Sequence, residues 1–360
     1  MLTAAVISLG SVSSRWTVEE MKKLFDKVDA INLKEIEINL GAKEIEVLYQ
    51  GEPLPDYDCV YAKGSFRYIA LLSSITALLN QKSYMPIDPT AFTIVNDKLL
   101  TQLELQRSKI PMPITYLSST ADAAKKILEQ VNYPIIMKFP QGTHGKGVMF
   151  AESFPAASSM LDALAALNQP FLIQEYVETG GVDIRAIVVG GQVVAAMKRK
   201  AKKGEKRANI HAGGVGESLV LSPKAKKIAL DTAKVLGAEI CAVDMLEGHK
   251  GPVVIEANTS PGLQGITKAT KINVAEKIAQ FLYRKTREHK NKGDITDASK
   301  VLEDMGIDKT DATCQDIIVN LDFRGNRILL PDLVTKITGF GDGEEVILQP
   351  CKGRVIIKRT

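Results

Sequence analysis

Cysteine is scarce and scattered: Cys59, Cys241, Cys314 and Cys351 lie far apart, and no C-x-x-C pair occurs. That spacing argues against a disulfide framework or a zinc site and for a reducing compartment. No segment approaches the roughly 18 apolar residues of a membrane span. The first ten residues, Met1 to Gly10, lack a positive n-region and a long apolar run. They predict a first strand rather than a signal peptide, and hence a soluble, cytoplasmic protein. Charge of one sign is missing too. The 46 basic and 42 acidic residues leave a formal +4, too small an excess to argue for nucleic acid or membrane as partner. What remains is ordinary globular composition, 45% hydrophobic and 24% charged over 360 residues, enough for two or three compact domains.

The patterning predicts an α/β chain. Residues 1–93 alternate strand-like stretches (Ala4–Leu9, Ile45–Tyr49) with helical spacing at Val18–Phe25 and Ile69–Leu79, a small N-terminal α/β domain. A helix is expected at about 96–109, with Asn96 as N-cap, Leu99, Leu100 and Leu103 as its buried stripe, and Pro111 as its stop. Residues 94–178 form a central domain with strands at Ile135–Phe139, Val148–Ala151 and Phe171–Gln174 and a helix at Ala121–Val131. Residues 179–289 hold two hairpins. One joins Asp183–Val189 to Gln192–Met197 through Gly190-Gly191; the other joins Ile240–Leu246 to Val253–Asn258. Between them a helix runs from Ser222 and Pro223 to Leu236, stopped by Gly237, and a last helix spans about 271–289. Residues 290–312 are charged and polar, a candidate linker. Residues 313–360 change character to a small β-rich module, with strands at Ile317–Leu321, Arg327–Leu330, Glu345–Gln349 and Arg354–Lys358 between glycine turns.

The second hairpin carries acids where apolar residues are expected. Alternation puts Asp244 on one face with Ile240, Ala242 and Leu246, and Glu256 on one face with Val254 and Asn258. A turn near His249 or Lys250 brings Asp244 and Glu256 within one pleat. Two carboxylates and an amide oxygen at the end of apolar strands require a cation, and Mg²⁺ is the natural one because it takes oxygen ligands and keeps positions for phosphate. By itself the set fits a surface hairpin with scattered acids as readily. Gly142-Thr143-His144-Gly145-Lys146-Gly147 has three glycines in six residues, a loop able to fold over phosphates. It is no Walker A loop, since Val148 follows Gly147 and a strand comes next; alone, it fits a flexible hairpin loop better. Lys138 breaks the apolar run before it and suits a phosphate. Lys98 is ambiguous by itself. Asp183 and Arg185 share a strand face. Arg199, Lys200, Lys202, Lys203, Lys206 and Arg207 form the densest basic run, ending at Asn209. It is either a solvated hairpin end or a positive wall for an anion, and no aromatic residue interleaves it as single-stranded nucleic acid binding would favour. His144 and His211 have no metal-ligand spacing to another His or Cys.

Taken in order, eight words resemble the ATP-grasp superfamily and, within it, the RimK-type amino-acid ligases. They are Asn96-Asp97-Lys98, Met137-Lys138-Phe139, Gly142–Val148, Gln174-Glu175-Tyr176-Val177, Asp183-Ile184-Arg185, Lys198–His211, Ala242-Val243-Asp244 and Glu256–Gly265. The resemblance spans about residues 45–285 and implies an α+β ATP-grasp core, with residues 94–178 as lid domain and 179–289 carrying the metal site. It implies that Lys98 and Lys138 contact phosphates, that Gly142, Thr143, Gly145 and Gly147 belong to the mobile lid loop, and that Glu175, Tyr176 and Val177 form the adenine hinge. Asp183 is placed near the ribose, and Arg207 and Asn209 at the phosphates. Asp244, Glu256 and Asn258 are implied ligands of two Mg²⁺ ions, with Mn²⁺ as a substitute. Ser260-Pro261-Gly262 borders the acceptor. Arg185, Arg199 and Lys200 stand as candidate catalytic residues, the last two for substrate carboxylates.

The implied chemistry is ADP-forming ligation, in which a carboxylate and an amine become an amide through an acyl phosphate. The Asn258–Gly265 wording is similar to the glutamate-ligase version and favours L-glutamate as the added amino acid. The acceptor carboxylate would belong to a protein C-terminus, a glutamate-tailed coenzyme or a poly-glutamate chain. Lys198 departs from the family, where an acid is frequent. A LysX-type ligase of amino-acid biosynthesis is the alternative within the fold. The last fifty residues are similar to the swapped-hairpin AbrB fold and predict a homo-oligomer. Their equal numbers of acidic and basic residues favour dimerisation or partner docking over DNA. An ATP-sensing DNA-binding regulator is the remaining alternative.

Overall fold

The computed structural model describes residues 1–41, 45–118, 120–139, 147–166, 171–200, 215–304, 322–324, 327–329, 346–351 and 354–359. The chain divides into two units, Met1–Thr296 and Asp297–Thr360.

The first unit begins with β1 (Thr3–Ser8), α1 (Val12–Met21) and β2 (Lys27–Asn32). An antiparallel trio comes next, β3 (Ile36–Leu40), β4 (Ile45–Tyr49) and β5 (Glu52–Pro53), and then β6 (Cys59–Ala62). Strands β2-β1-β6 form a parallel sheet in that order. Helix α1 starts six residues before the expected Val18. Ser11 caps it by accepting from the Ser14 N–H, and its buried face begins with Ser13, Ser14 and Thr17. Small polar residues carry that half of the stripe, so apolar spacing alone misses it.

Helices α2 (Ile69–Leu79), α3 (Pro89–Asn96) and α4 (Lys98–Arg107) lead into the central sheet. The cap of α4 is Asp97, not Asn96, which ends α3; the Asp97 carboxylate accepts from Leu99 and Leu100 N–H at 2.8 and 3.1 Å. The buried face of α4 is Thr101, Gln102 and Leu105. Leu100 and Leu103, expected inside, are 37% and 45% exposed.

Strands β7 (Thr115–Ser118), β8 (Ile135–Lys138), β9 (Val148–Ala151) and β10 (Phe171–Glu175) make an antiparallel sheet ordered β7-β10-β8-β9. Helices α5 (Ala121–Leu128) and α6 (Phe154–Ala166) cover one face, packing Ala124, Leu128, Leu161 and Leu164 against Ile135, Met137 and Ile173.

The third sheet, β13-β12-β11-β14-β15, is antiparallel. Its strands are β11 (Val182–Val189), β12 (Gln192–Lys200), β13 (Val215–Ser218), β14 (Ile240–Gly248) and β15 (Gly251–Asn258). Gly190 and Gly191, both at positive φ, make the two-residue turn between β11 and β12. Helix α7 (Pro223–Val235) is capped by Ser222, as expected, and covers one face through Ile228, Ala229 and Ala233. Ile187, Val189, Ile240 and Ala242 on the opposite face join the core of the first sheet, with α8 (Gln264–Thr270) and α9 (Val274–Asp304). Helix α9 continues into the charged stretch expected to be a linker. In the second unit, β16 (Asp322–Arg324) pairs with β17 (Arg327–Leu329), and β18 (Val346–Cys351) with β19 (Arg354–Arg359). The expected strand Ile317–Leu321 lies outside the described residues.

Candidate active site

Alternation on β8 sends Ile135 and Met137 under the helices and leaves Ile136 and Lys138 facing a cleft of about 1320 Å³. Lys138 is buried; its Nζ donates to Gln174 Oε1 at 3.0 Å, and Gln174 Nε2 donates to Thr115 Oγ1 at 2.7 Å. Lys98, first residue of α4, lines the same cleft, as do Glu175, Tyr176 and Val177. Tyr176 meets Phe150 edge to face, with ring centroids 5.0 Å apart. Together with Ile136, Val148 and Leu246 the two rings give this end of the cleft an apolar lining.

The opposing wall is set by strand register. Arg199 faces Asp183, Arg185 faces Asp244, Asp244 faces Glu256 and Ala242 faces Asn258. Arg185 donates through Nε and Nη2 to both oxygens of Asp244, at 2.7 and 2.6 Å. Arg199 forks onto Asp183 at 2.5 and 2.7 Å and gives Asp244 a third bond at 2.9 Å. Such forked pairs hold geometry as well as charge. Asn258 Oδ1 accepts from the Ser260 N–H at 2.8 Å, which turns the chain toward Ser260–Gly265. A bulge between Asp244 and Met245 makes Ile255 the extra residue of β15. It corrects one expected face: Val254 packs with Met245 in the α7 core, while Glu256 and Asn258 line the cleft.

Burial raises the Asp244 carboxyl, but Arg185 and Arg199 outweigh it and hold the group below its ordinary value. Asp183 moves the other way, because burial and the nearby Asp244 exceed the pull of Arg199. Burial and Asp244 also push Glu256 up, against Lys98, Arg185 and Lys138. Burial, reinforced by Lys98, pulls the Lys138 ammonium down to about 8. Lys98 is lowered by burial and partly restored by Glu256 and Asp97. Four cations and three carboxylates therefore share one desolvated space. The two arginines spend their forks on Asp183 and Asp244, and neither is bonded to Glu256.

Eleven of the candidate residues thus line one cleft: Lys98, Lys138, Glu175–Val177, Asp183, Arg185, Arg199, Asp244, Glu256 and Asn258. Lys200 does not. One residue beyond Arg199 on β12, it takes the other face and is exposed. Arg199, expected to meet a substrate carboxylate, is engaged by Asp183 and Asp244. Gly147 immediately precedes β9, at φ +75°. Gly142, Thr143, Gly145, Arg207 and Asn209 lie outside the described residues, as do His144 and His211. Sequence reading missed Phe150 and Ile136; their signal was position, both being in register with each other on the cleft face of β8 and β9.

The RimK-like ATP-grasp domain family matches residues 95–282, from the Lys98 helix through the metal-candidate hairpin. The chain belongs to this family. Two relatives, the probable alpha-L-glutamate ligases of Thioalkalivibrio sulfidiphilus and Vibrio cholerae serotype O1, are 36% identical over 286 residues and 35% over 288. These alignments cover 77% and 78% of this chain and 93% and 94% of the relatives. Membership makes the protein an ATP-dependent ligase. Solved structures agree on the fold. The ATP-grasp ligase PsnB, complexed with minimal precursor, Mg and ADP, aligns at TM-score 0.62 and 17% identity, over 79% of this chain and 98% of that one. A RimK domain ATP-grasp protein of Sphaerobacter thermophilus aligns at 0.60 and 18%, over 78% and 99%. The family match ends before the second unit, so the AbrB resemblance stands on its sequence words alone. No helix among the described residues is long and apolar enough to cross a membrane.

Proposed function

We propose that this protein is a Mg-ATP-dependent carboxylate–amine ligase that adds L-glutamate to an acceptor carboxylate, forming ADP and phosphate. The observation that carries this reading is the row Arg185, Asp244, Glu256 and Asn258, sharing one cleft with Lys98 and Lys138. Its volume of about 1320 Å³ exceeds the roughly 300–1,000 Å³ of a single small-molecule pocket, and suits a nucleotide beside a second substrate.

The residues fit a divalent ion. Among the described residues no group of three or more His, Cys, Asp or Glu side chains is placed to hold one. The set here is two carboxylates and an amide, all hard oxygens, with the remaining positions suited to phosphate. The upward push on Glu256 comes from burial and from Asp244, and a cation between the two carboxylates would offset both. Asp244, Glu256 and Asn258 would hold the ion, which when bound neutralises charge on the transferring phosphoryl group. Lys98 and Lys138 add fixed positive charge to the same oxygens. Arg185 and Arg199 keep Asp244 ionised and aimed. Tyr176, Phe150 and Ile136 offer flat apolar contact to a purine base.

In the ligation, a carboxylate oxygen bonds to the γ-phosphorus and ADP leaves. The amine nitrogen then bonds to the acyl carbon, phosphate leaves and the nitrogen loses a proton. Glutamate is favoured by the names of the relatives. A peptide or peptide-like acceptor is supported by neighbours of the same fold that were solved with precursor peptides.

Mass spectrometry of products from a panel of amino acids and acceptors tests the reading, with ADP release measured alongside. Glutamate-dependent ADP and a mass gain of one glutamyl residue are expected. A panel that yields no ADP above background sinks the proposal. E256Q should lower turnover by at least about 100-fold with an unchanged unfolding transition.

A further inference from the structure

Beside the exposed Lys34, one further lysine lines the cleft outside the phosphate-side group, and it is buried: Lys63. Lys63 directly follows β6, at the C-terminal edge of the parallel sheet, where ligands of open α/β sheets bind. It is 4% exposed, and its Nζ has no hydrogen-bond partner among the described residues. The ammonium stands 5.6 Å from the Tyr61 ring centroid. Burial alone pulls it down to about 8, with no carboxylate restoring it. Lys98 and Lys138 differ, since both respond to Glu256. Lys63 is electrostatically apart from that group.

Its position is fixed by packing. A Cβ on the neighbouring Gly64 would come within 2.9 Å of Leu72 and 3.0 Å of Leu33, both wholly buried. The Gly64 N–H donates to Ser260 Oγ at 2.9 Å, and the Ser260 N–H in turn donates to Asn258 Oδ1. Across the same seam, Ser13 Oγ accepts from the Leu263 N–H at 2.8 Å. The parallel-sheet edge and the 258–265 loop thus close on each other beside the proposed metal ligands, with Lys63 at the join. A desolvated ammonium without a counter-charge destabilises the fold, and a buried cation so placed is complementary to an anion brought by a ligand.

We propose that Lys63 receives a non-reacting carboxylate of a substrate bound in the cleft against the join of the Lys63–Gly64 corner and the Ser260–Gly265 loop. The inference deepens the ligase reading and rests on it for the identity of the acid. The carboxylate belongs either to the added amino acid or to the acceptor. Both are carboxylates beyond the one that is phosphorylated, and the kinetic arms separate them.

Full-length wild type, K63M and K63R are compared in two assays. In the first, ADP release is followed against L-glutamate, a glutamate-terminated peptide and ATP. K63M should raise KM for one of the two acids by about 10- to 100-fold, leave KM for ATP within about twofold, and K63R should recover most of the loss. Glutamine in place of glutamate removes only the γ-carboxylate, so indifference of L-glutamine to K63M assigns the side-chain carboxylate and an equal rise in its KM assigns the α-carboxylate. A rise for L-glutamate assigns the amino acid, and a rise for the peptide assigns the acceptor. Unchanged KM for both acids, or a fall in kcat alone that K63R does not restore, overturns the proposal.

The second assay is calorimetric binding of the same two acids in the presence of Mg²⁺ and a non-hydrolysable ATP analogue. It needs no turnover, so it judges Lys63 even where the ligase reading fails in the first. Binding lost in K63M and kept in K63R supports the assignment. Equal binding by K63M, or no binding of either acid by wild type, overturns it.

Discussion

Lys138 shows how far this site departs from what stability alone would select. Its ammonium is buried, bonded to one neutral oxygen, and repelled by Lys98. Replacing it with methionine, of similar length and no charge, is expected to stabilise the nucleotide-free protein by about 1–3 kcal/mol, as happens when buried ions give way to apolar isosteres. ATP and Mg²⁺ should raise the melting temperature of wild type, and the same variant should lose that rise. Thermal melts of both forms, with and without ligand, check both halves. A second consequence concerns protons. The folded value of about 8 lies below the ordinary 10.5, so the penalty for the charged form is full below pH 8 and fades as pH rises toward 10.5. A triphosphate bound at Lys138 would restore the charge. Nucleotide binding should therefore take up protons, approaching one per nucleotide near pH 9 and falling away below about pH 7. Calorimetry in buffers of different ionisation enthalpy reads this directly; no buffer dependence at pH 9 would count against Lys138 as a phosphate ligand. Lys138 was legible in sequence because it interrupts an apolar strand. Lys63 was not, because nothing local marks a lysine after a strand as buried.

At the scale of the element, the hairpins form one wall of the site and α7 backs it from the opposite face of the sheet. Helix α7 ends on Gly237, at φ +64°. A Cβ there would come within 2.3 Å of the Asp88 carboxylate, and the Asp88 N–H donates to the Gly237 carbonyl at 2.8 Å. G237A should cost about 1–3 kcal/mol through the left-handed backbone and the displaced Asp88, seen as a lower melting temperature with ligand affinities largely kept. This cap was legible because Ser222, Pro223 and Gly237 are local signals. The bulge at Ile255 was not. It inserts one residue into a strand whose sequence, Val253-Val254-Ile255-Glu256, alternates no differently for it, and only pairing with β14 shows that Val254 and Glu256 face opposite ways. Helix α4 was misread for a related reason. Leu100 lies at the cleft wall, so an apolar residue there marks a binding surface rather than a core.

On the scale of the whole molecule, the first unit ends at Thr296, and the ligase core is expected to need α9 that far and not the residues beyond it. Val274, Ile278, Phe281 and Leu282 of α9 are buried in the core of the first unit, and Tyr283 stacks edge to face on Phe25. Lys290 ties the helix to Asp58 at 2.8 Å. A chain ending at Thr296 is expected to unfold cooperatively and to keep glutamate-dependent ADP release within about threefold of the full chain, while one ending at Asn273 should not fold. Circular dichroism melts and the ADP assay decide both. A tenfold loss on removing residues 297–360 would show that the second unit serves the reaction.

Sequence by itself determined the elements with local punctuation, the family, and the chemical kind of each polar residue at the cleft: carboxylates and an amide on one strand pair, lysines before it. These come from alternation and turn chemistry, which act over a few residues. Tertiary structure decided what those groups do to one another. Whether Arg199 awaits a substrate or braces Asp183 and Asp244, and whether Lys63 is solvated or sealed in, depend on partners 16 to nearly 200 residues away. Register and burial set those meetings, and no local rule carries over that distance.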